Sequence, residues 1–189
     1  MRRSVARDPD GPADSPPADP HQVARTILLR RLESAPRTRA ELARTLAQRG
    51  VPEEVARTAL DRFEEVGLVD DRLFARMWVD SRQSSRGLSG RALRAELRRK
   101  GVDEAVVTES LAGLSADRER QTAVDLARRR AIRMEDVPAD VASRRLLSFL
   151  ARKGYSHDVA AAAVREALSV RERTGAEDDD WPQGSEHLR

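Results

Sequence analysis

The chain has no cysteine. That removes disulfides, thiol nucleophiles and thiolate metal ligands together. Its three histidines, His21, His157 and His187, are scattered, with no pair at the helical spacing of a metal site. Aromatic residues make up only 3% of the sequence, which argues against one thick core built on large rings. No run of about 18 apolar residues occurs, and the N-terminus lacks the apolar centre of a secretion signal. The alternating Val/Ile runs that strands need are missing as well. So are GxxxxGKS/T, GxSxG and HExxH. These absences point to a cytoplasmic, all-α protein with no metal and no cofactor, and not to an enzyme.

Charge is what the sequence has in quantity. Lys and Arg number 35 against 32 Asp and Glu, for a formal total of +3. Abundant Ala, Leu, Arg and Glu favour helices. Residues 1–21 contain Pro9, Pro12, Pro16, Pro17 and Pro20 and no apolar period, so a disordered leader is expected. Residues 170–189, with the acidic run Glu177 to Asp180 before Trp181-Pro182, are expected to form a disordered acidic tail.

Between these ends the sequence repeats. Gly50, Gly101 and Gly154 are separated by 51 and 53 residues. Leucines precede each by eight and four positions: Leu42 and Leu46, Leu93 and Leu97, Leu146 and Leu150. An apolar residue follows each (Val51, Val102, Tyr155), then a helix-opening Pro52, Asp103 or Ser156. Leucines four apart make one helical stripe, and Gly closes a helix because it takes the left-handed conformation without strain. A further helix precedes each stripe, at about 23–32, 74–81 and 122–131. The pattern predicts three tandem three-helix repeats of helix-turn-helix-like form, at 22–69, 70–117 and 118–169, arranged as an elongated array that curvature would suit. A loop is expected around 134–140 in the third.

The positive charge is concentrated. Between Arg82 and Lys100 stand seven Arg/Lys against one acid, Glu96. At about 100° per residue, Arg91, Arg94 and Arg98 fall within roughly 60° of one another, opposite Leu93 and Leu97. This is either a solvated outer face or a surface offered to an anionic partner, and the shortage of acids keeps the second reading open. Asp70 and Asp71 are read as helix-starting residues and not as a metal or acid/base pair. Gly87 and Gly90, among Ser84, Ser85 and Ser89, are read as a hinge in preference to a phosphate nest. Phe74, Met77, Trp78 and Ser81 are read as a buried seam, with Tyr155 also in the core.

With these residues in place, the sequence resembles the RecX family of recombination regulatory proteins. The matching positions are Gly67-Leu68-Val69-Asp70-Asp71, Phe74-Ala75, Trp78-Val79, Arg82, Arg86-Gly87 and Leu97 through Lys100-Gly101-Val102. Leu146, Leu150 through Tyr155 and Val159 extend the match to about residue 169. The resemblance implies three three-helix repeats and a protein that binds RecA and the RecA filament on single-stranded DNA. It implies inhibition of strand exchange, ATP hydrolysis and co-protease activity, which tempers recombination and the SOS response. Asp70, Asp71, Phe74, Trp78, Gly50, Gly87, Gly101 and Gly154 are then structural. The residues expected to contact partner or DNA are Arg82, Arg86, Arg91, Arg94, Arg98, Arg99 and Lys100, with Arg152 and Lys153 as a second site. Weak non-specific DNA binding is a side property on this reading, and a monomer is expected. The rival readings are a sequence-independent DNA-binding protein of helix-turn-helix type and a helical-repeat scaffold for another partner.

Overall fold

The computed structural model describes residues 19–178, with side chains through residue 169. The regular structure of the described residues is all helical, with no strand among them. They divide into two compact units, one ending at Asp70 and the other starting at Asp71.

The first unit holds α1 (Pro20–Ser34), α2 (Arg39–Gln48) and α3 (Glu53–Glu65). Each start has a local cause. Asp19 accepts the His21 N–H ahead of Pro20, which needs no amide partner at that position. Thr38 and Glu41 form a reciprocal capping box at the head of α2. Leu28, Leu42, Leu46, Leu60 and Phe63 close the core. Arg39 ties α2 to α3 through Asp61 (2.6 Å) and Glu64 (2.5 Å).

The second unit holds α4 (Asp71–Arg86), α5 (Gly90–Lys100), α6 (Glu104–Leu111), α7 (Ala116–Ala131), α8 (Ala139–Arg152) and α9 (His157–Asp178). Its apolar residues fall into two clusters. Phe74, Val79, Leu93, Leu97 and Val107 make one, and Ala127, Leu146, Leu150, Tyr155 and Val164 belong to the other.

The three glycines of the repeat end their helices in one way. In α2, Gly50 N–H bonds to Ala47 O (3.0 Å) and Val51 N–H to Leu46 O (3.1 Å). The same pair of bonds recurs at Gly101/Val102 and at Gly154/Tyr155, with φ of 73°, 82° and 91° at the three glycines. This is the Schellman closure, in which a left-handed residue lets two late amides reach back to orphan carbonyls. The turn at Gly67 closes α3 by the same bonds, to Glu64 O and Phe63 O. Asp70 precedes α4 and Asp71 is its first residue, where a carboxylate suits the helix dipole.

Four expectations need correction. Met77 is 52% exposed and Ser81 faces solvent, so neither belongs to the seam of α4. The buried face is Phe74, Ala75 and Val79, with Trp78 half-buried beside it. The expected loop at 134–140 is shortened by a 3-10 turn at Ile132–Met134 and by α8 starting at Ala139. Helix α1 begins at Pro20, inside the expected leader, and α9 runs to Asp178, past the expected start of the tail at 170. Residues 1–18 and 179–189, where the rest of those two segments falls, lie outside the described residues. The fourth correction, the loop before α5, belongs to the site.

Candidate regulatory interface on the second unit

The loop expected as a hinge is clamped between the two clusters of the second unit. Ser89 is fully buried, accepts the Ala92 N–H to cap α5, and donates its own N–H to Lys153 O at 3.0 Å. Lys153 Nζ reaches back to Arg86 O. Tyr155 Oη donates to Gly87 O (3.1 Å), and Arg91 donates to Gly154 O (3.0 Å) and Tyr155 O (3.4 Å). The backbones approach too closely for side chains. A Cβ on Gly87 would lie 2.8 Å from Leu126 Cδ1, and one on Gly154 would lie 2.5 Å from Ser89 Oγ. Burial, with the Glu119 carboxylate adding to it, pushes the Tyr155 phenol up to about 12. Burial also holds the Lys153 ammonium below the ordinary lysine value, with Arg86 and Arg130 repelling it further.

This junction sorts the basic residues by what they already touch. Arg82 lies over the Trp78 ring at 4.0 Å and faces Glu96, which also accepts the Trp78 indole N–H at 2.8 Å. Lys100 sits against the same ring at 4.3 Å. Arg94 and Arg98 converge on Glu104 at the start of α6, Arg98 Nε at 2.6 Å, and Arg94 also meets Thr108. Hydrogen bonding to Glu104 raises the Arg98 pKa, and the bond from Arg98 holds the Glu104 carboxyl below its usual range. The triad Arg91, Arg94 and Arg98 is therefore engaged within the fold. Arg86, Arg99 and Arg152 are exposed, and no ion pair to another described residue engages them.

The structure adds three residues that the repeat pattern did not single out. Arg130, Arg144 and Arg145 join Arg152 and Ser148 around an open cleft of about 510 Å³ between α7 and α8. The signal for them was present as Arg144, Ser148 and Arg152, four apart on the face of α8 away from Leu146 and Leu150. No group of three His, Cys, Asp or Glu that could hold a metal occurs among the described residues.

Three-helix units closed by a shared glycine motif, with arginines on their outer surfaces, define a helical-repeat protein. The comparisons specify which. Residues 24–63 match the first three-helix domain of RecX and residues 70–111 the second. The chain is 50% identical over 163 residues to the regulatory protein RecX of Thermobifida fusca, covering 85% of this chain and 88% of that one. It is 48% identical over 153 residues to that of Streptomyces coelicolor, covering 81% of each. The crystal structure of RecX from Lactobacillus salivarius shares the fold at a TM-score of 0.70 and 20% identity, over 80% of this chain and 99% of that one. The chain belongs to the RecX family. Among the described residues, no helix is long and apolar enough to cross a membrane.

Proposed function

We propose that the protein binds RecA, free and as a filament on single-stranded DNA, and restrains its recombinase, ATPase and co-protease activities. It would act in the cytoplasm as a monomer, by occupancy and not by catalysis, and so temper recombination and the SOS response. The observation that carries this reading is the 50% identity to a regulatory protein RecX across 85% of the chain.

The charge arrangement supports it. Arg86 and Arg99 present guanidinium groups to solvent, and no acid among the described residues pairs with them. Such groups suit acidic protein surface or DNA phosphate and steer association over about a Debye length. Arg82, Arg91, Lys100 and Lys153 act by holding the surface in shape. Arg94 and Arg98 contribute once a partner competes with Glu104.

The test is DNA-dependent ATP hydrolysis by RecA on single-stranded DNA, with this protein added below stoichiometry. The wild type is expected to inhibit, and Arg86→Glu/Arg99→Glu to lose most of the inhibition while its helical circular dichroism is unchanged. Inhibition that persists in the double variant would move the contact surface elsewhere. Failure of the wild type to inhibit would sink the reading.

A further inference from the structure

We infer that Lys153 is a modification site, its side-chain amine accepting the acyl group of a small acyl phosphate. The inference stands apart from RecA recognition, because no partner protein takes part in it.

The first observation is where lysine is kept. Of the 35 basic residues 33 are arginine, and the two lysines, Lys100 and Lys153, each stand one position before a helix-closing glycine. The first repeat has Arg49 at that position. Both lysines are half-buried and both lie against rings, Lys100 at 4.3 Å from Trp78 and Lys153 at 5.2 Å from Phe149. Arginine keeps its proton at any pH the fold meets, whereas a lysine whose charge is opposed can supply a free amine.

The second observation is that the two rings have neighbours of opposite sign. The Trp78 ring under Lys100 donates its N–H to the Glu96 carboxylate at 2.8 Å, so an anion attends that lysine. The Phe149 ring beside Lys153 carries a second cation instead, Arg130, at 4.6 Å from its centroid. Burial and the guanidinium groups of Arg86 and Arg130 together favour the neutral amine at Lys153. Desolvation and a neighbouring cation are two devices that make a lysine nucleophilic. The amine is also aimed. One N–H is engaged by the carbonyl oxygen of Arg86, the last residue of α4, which leaves the lone pair of the neutral form free. Arg86 and Arg130 suit the anionic end of the reagent, since guanidinium groups take phosphate oxygens through paired N–H bonds.

In the step, Nζ bonds to the acyl carbon and the C–O bond to phosphate breaks, its electron pair leaving with the phosphate. The proton that the amine sheds passes to that leaving group, so an amide and hydrogen phosphate result. The amide keeps one N–H for Arg86 O and removes a positive charge from the clamp around Gly87.

The test treats the full chain with acetyl phosphate near neutral pH and follows both lysines by peptide mass spectrometry, with Lys100 as the internal control. Lys153 is expected to acetylate about fivefold faster than Lys100 in the folded protein, as an activated amine should. In guanidinium chloride the two rates should become equal. With p-nitrophenyl acetate, which carries no phosphate, the folded ratio should fall to about twofold, because the amine stays activated while the guanidinium groups have no phosphate to hold. Lys153→Arg should lose the faster adduct and leave the Lys100 rate unchanged. Equal rates at the two lysines of the folded chain would overturn the proposal. A preference that survives denaturation would also overturn it, because the selectivity would then belong to the local sequence and not to the junction. The same ratio with both reagents would sink the acyl-phosphate assignment. RecA is absent from the assay, so its outcome and that of the ATPase test are independent.

Discussion

The Tyr155 hydroxyl donates to the carbonyl oxygen of Gly87, 68 positions earlier in the chain, across the junction between the two apolar clusters of the second unit. Removing only that hydroxyl, by Tyr155→Phe, leaves the ring packed and a buried carbonyl without its partner. The expected cost is about 1 kcal/mol near neutral pH, read from the urea unfolding midpoint. The pH dependence has a definite sign. The folded phenol titrates at about 12, above the ordinary 10.0, so the fold favours the neutral form. That contribution is fully present below pH ~10 and is lost as pH rises through about 12. The wild type should therefore lose of order 2 kcal/mol relative to Tyr155→Phe over that interval. Parallel curves for the two proteins from pH 8 to 12 would mean that the phenol is not buried at the junction.

Two glycines with the same backbone role differ in what surrounds them. Gly50 has φ of 73° and nothing within 4 Å of an added Cβ, whereas at Gly154 a Cβ would meet Ser89 Oγ at 2.5 Å and Ala92 Cβ at 2.6 Å. Gly50→Ala is expected to cost only the left-handed strain, about 1–2 kcal/mol. Gly154→Ala adds overpacking and should cost roughly 2–5 kcal/mol in total. Thermal unfolding of the two variants side by side checks this. Equal losses would show that Gly154 serves only as a helix stop.

That contrast marks what could be read without coordinates. A helix-closing glycine is legible because one residue type meets a local backbone demand, and the leucines before it keep a fixed helical spacing. The same logic exposed the openers Pro52, Asp103 and Ser156. The buried face of α4 was not legible, since Met77 and Val79 both fall at positions an apolar stripe could use. The small Ala75 decides it by allowing close packing at 0% exposure. The role of Arg91 was hidden for another reason. Its acceptors, Gly154 O and Tyr155 O, are backbone atoms 63 and 64 positions away, and no side-chain pattern announces a carbonyl. Arg130, Arg144 and Arg145 carry no mark in the glycine register, because the cleft they line is assembled across two helices.

Glu104 restrains the basic face of α5, and neutralising it should strengthen binding. Its carboxylate takes hydrogen bonds from both Arg94 and Arg98 at the surface. Such exposed pairs add little to stability, so Glu104→Gln should unfold at the same urea concentration as the wild type within error. It releases two guanidinium groups beside exposed Arg99, and rim charges act mainly on association rate. On the proposed RecA contact, filaments should then be bound roughly threefold faster, with a steeper salt dependence. The Glu104 carboxyl titrates below its usual 4.5, so in the wild type the restraint is present above that value and is lost as pH falls through the lowered one. The advantage of Glu104→Gln should accordingly hold at neutral pH and shrink in acid. Stopped-flow binding at two ionic strengths reads the rate directly. An unchanged or slower association would show that Arg94 and Arg98 serve the partner best in the geometry that Glu104 imposes.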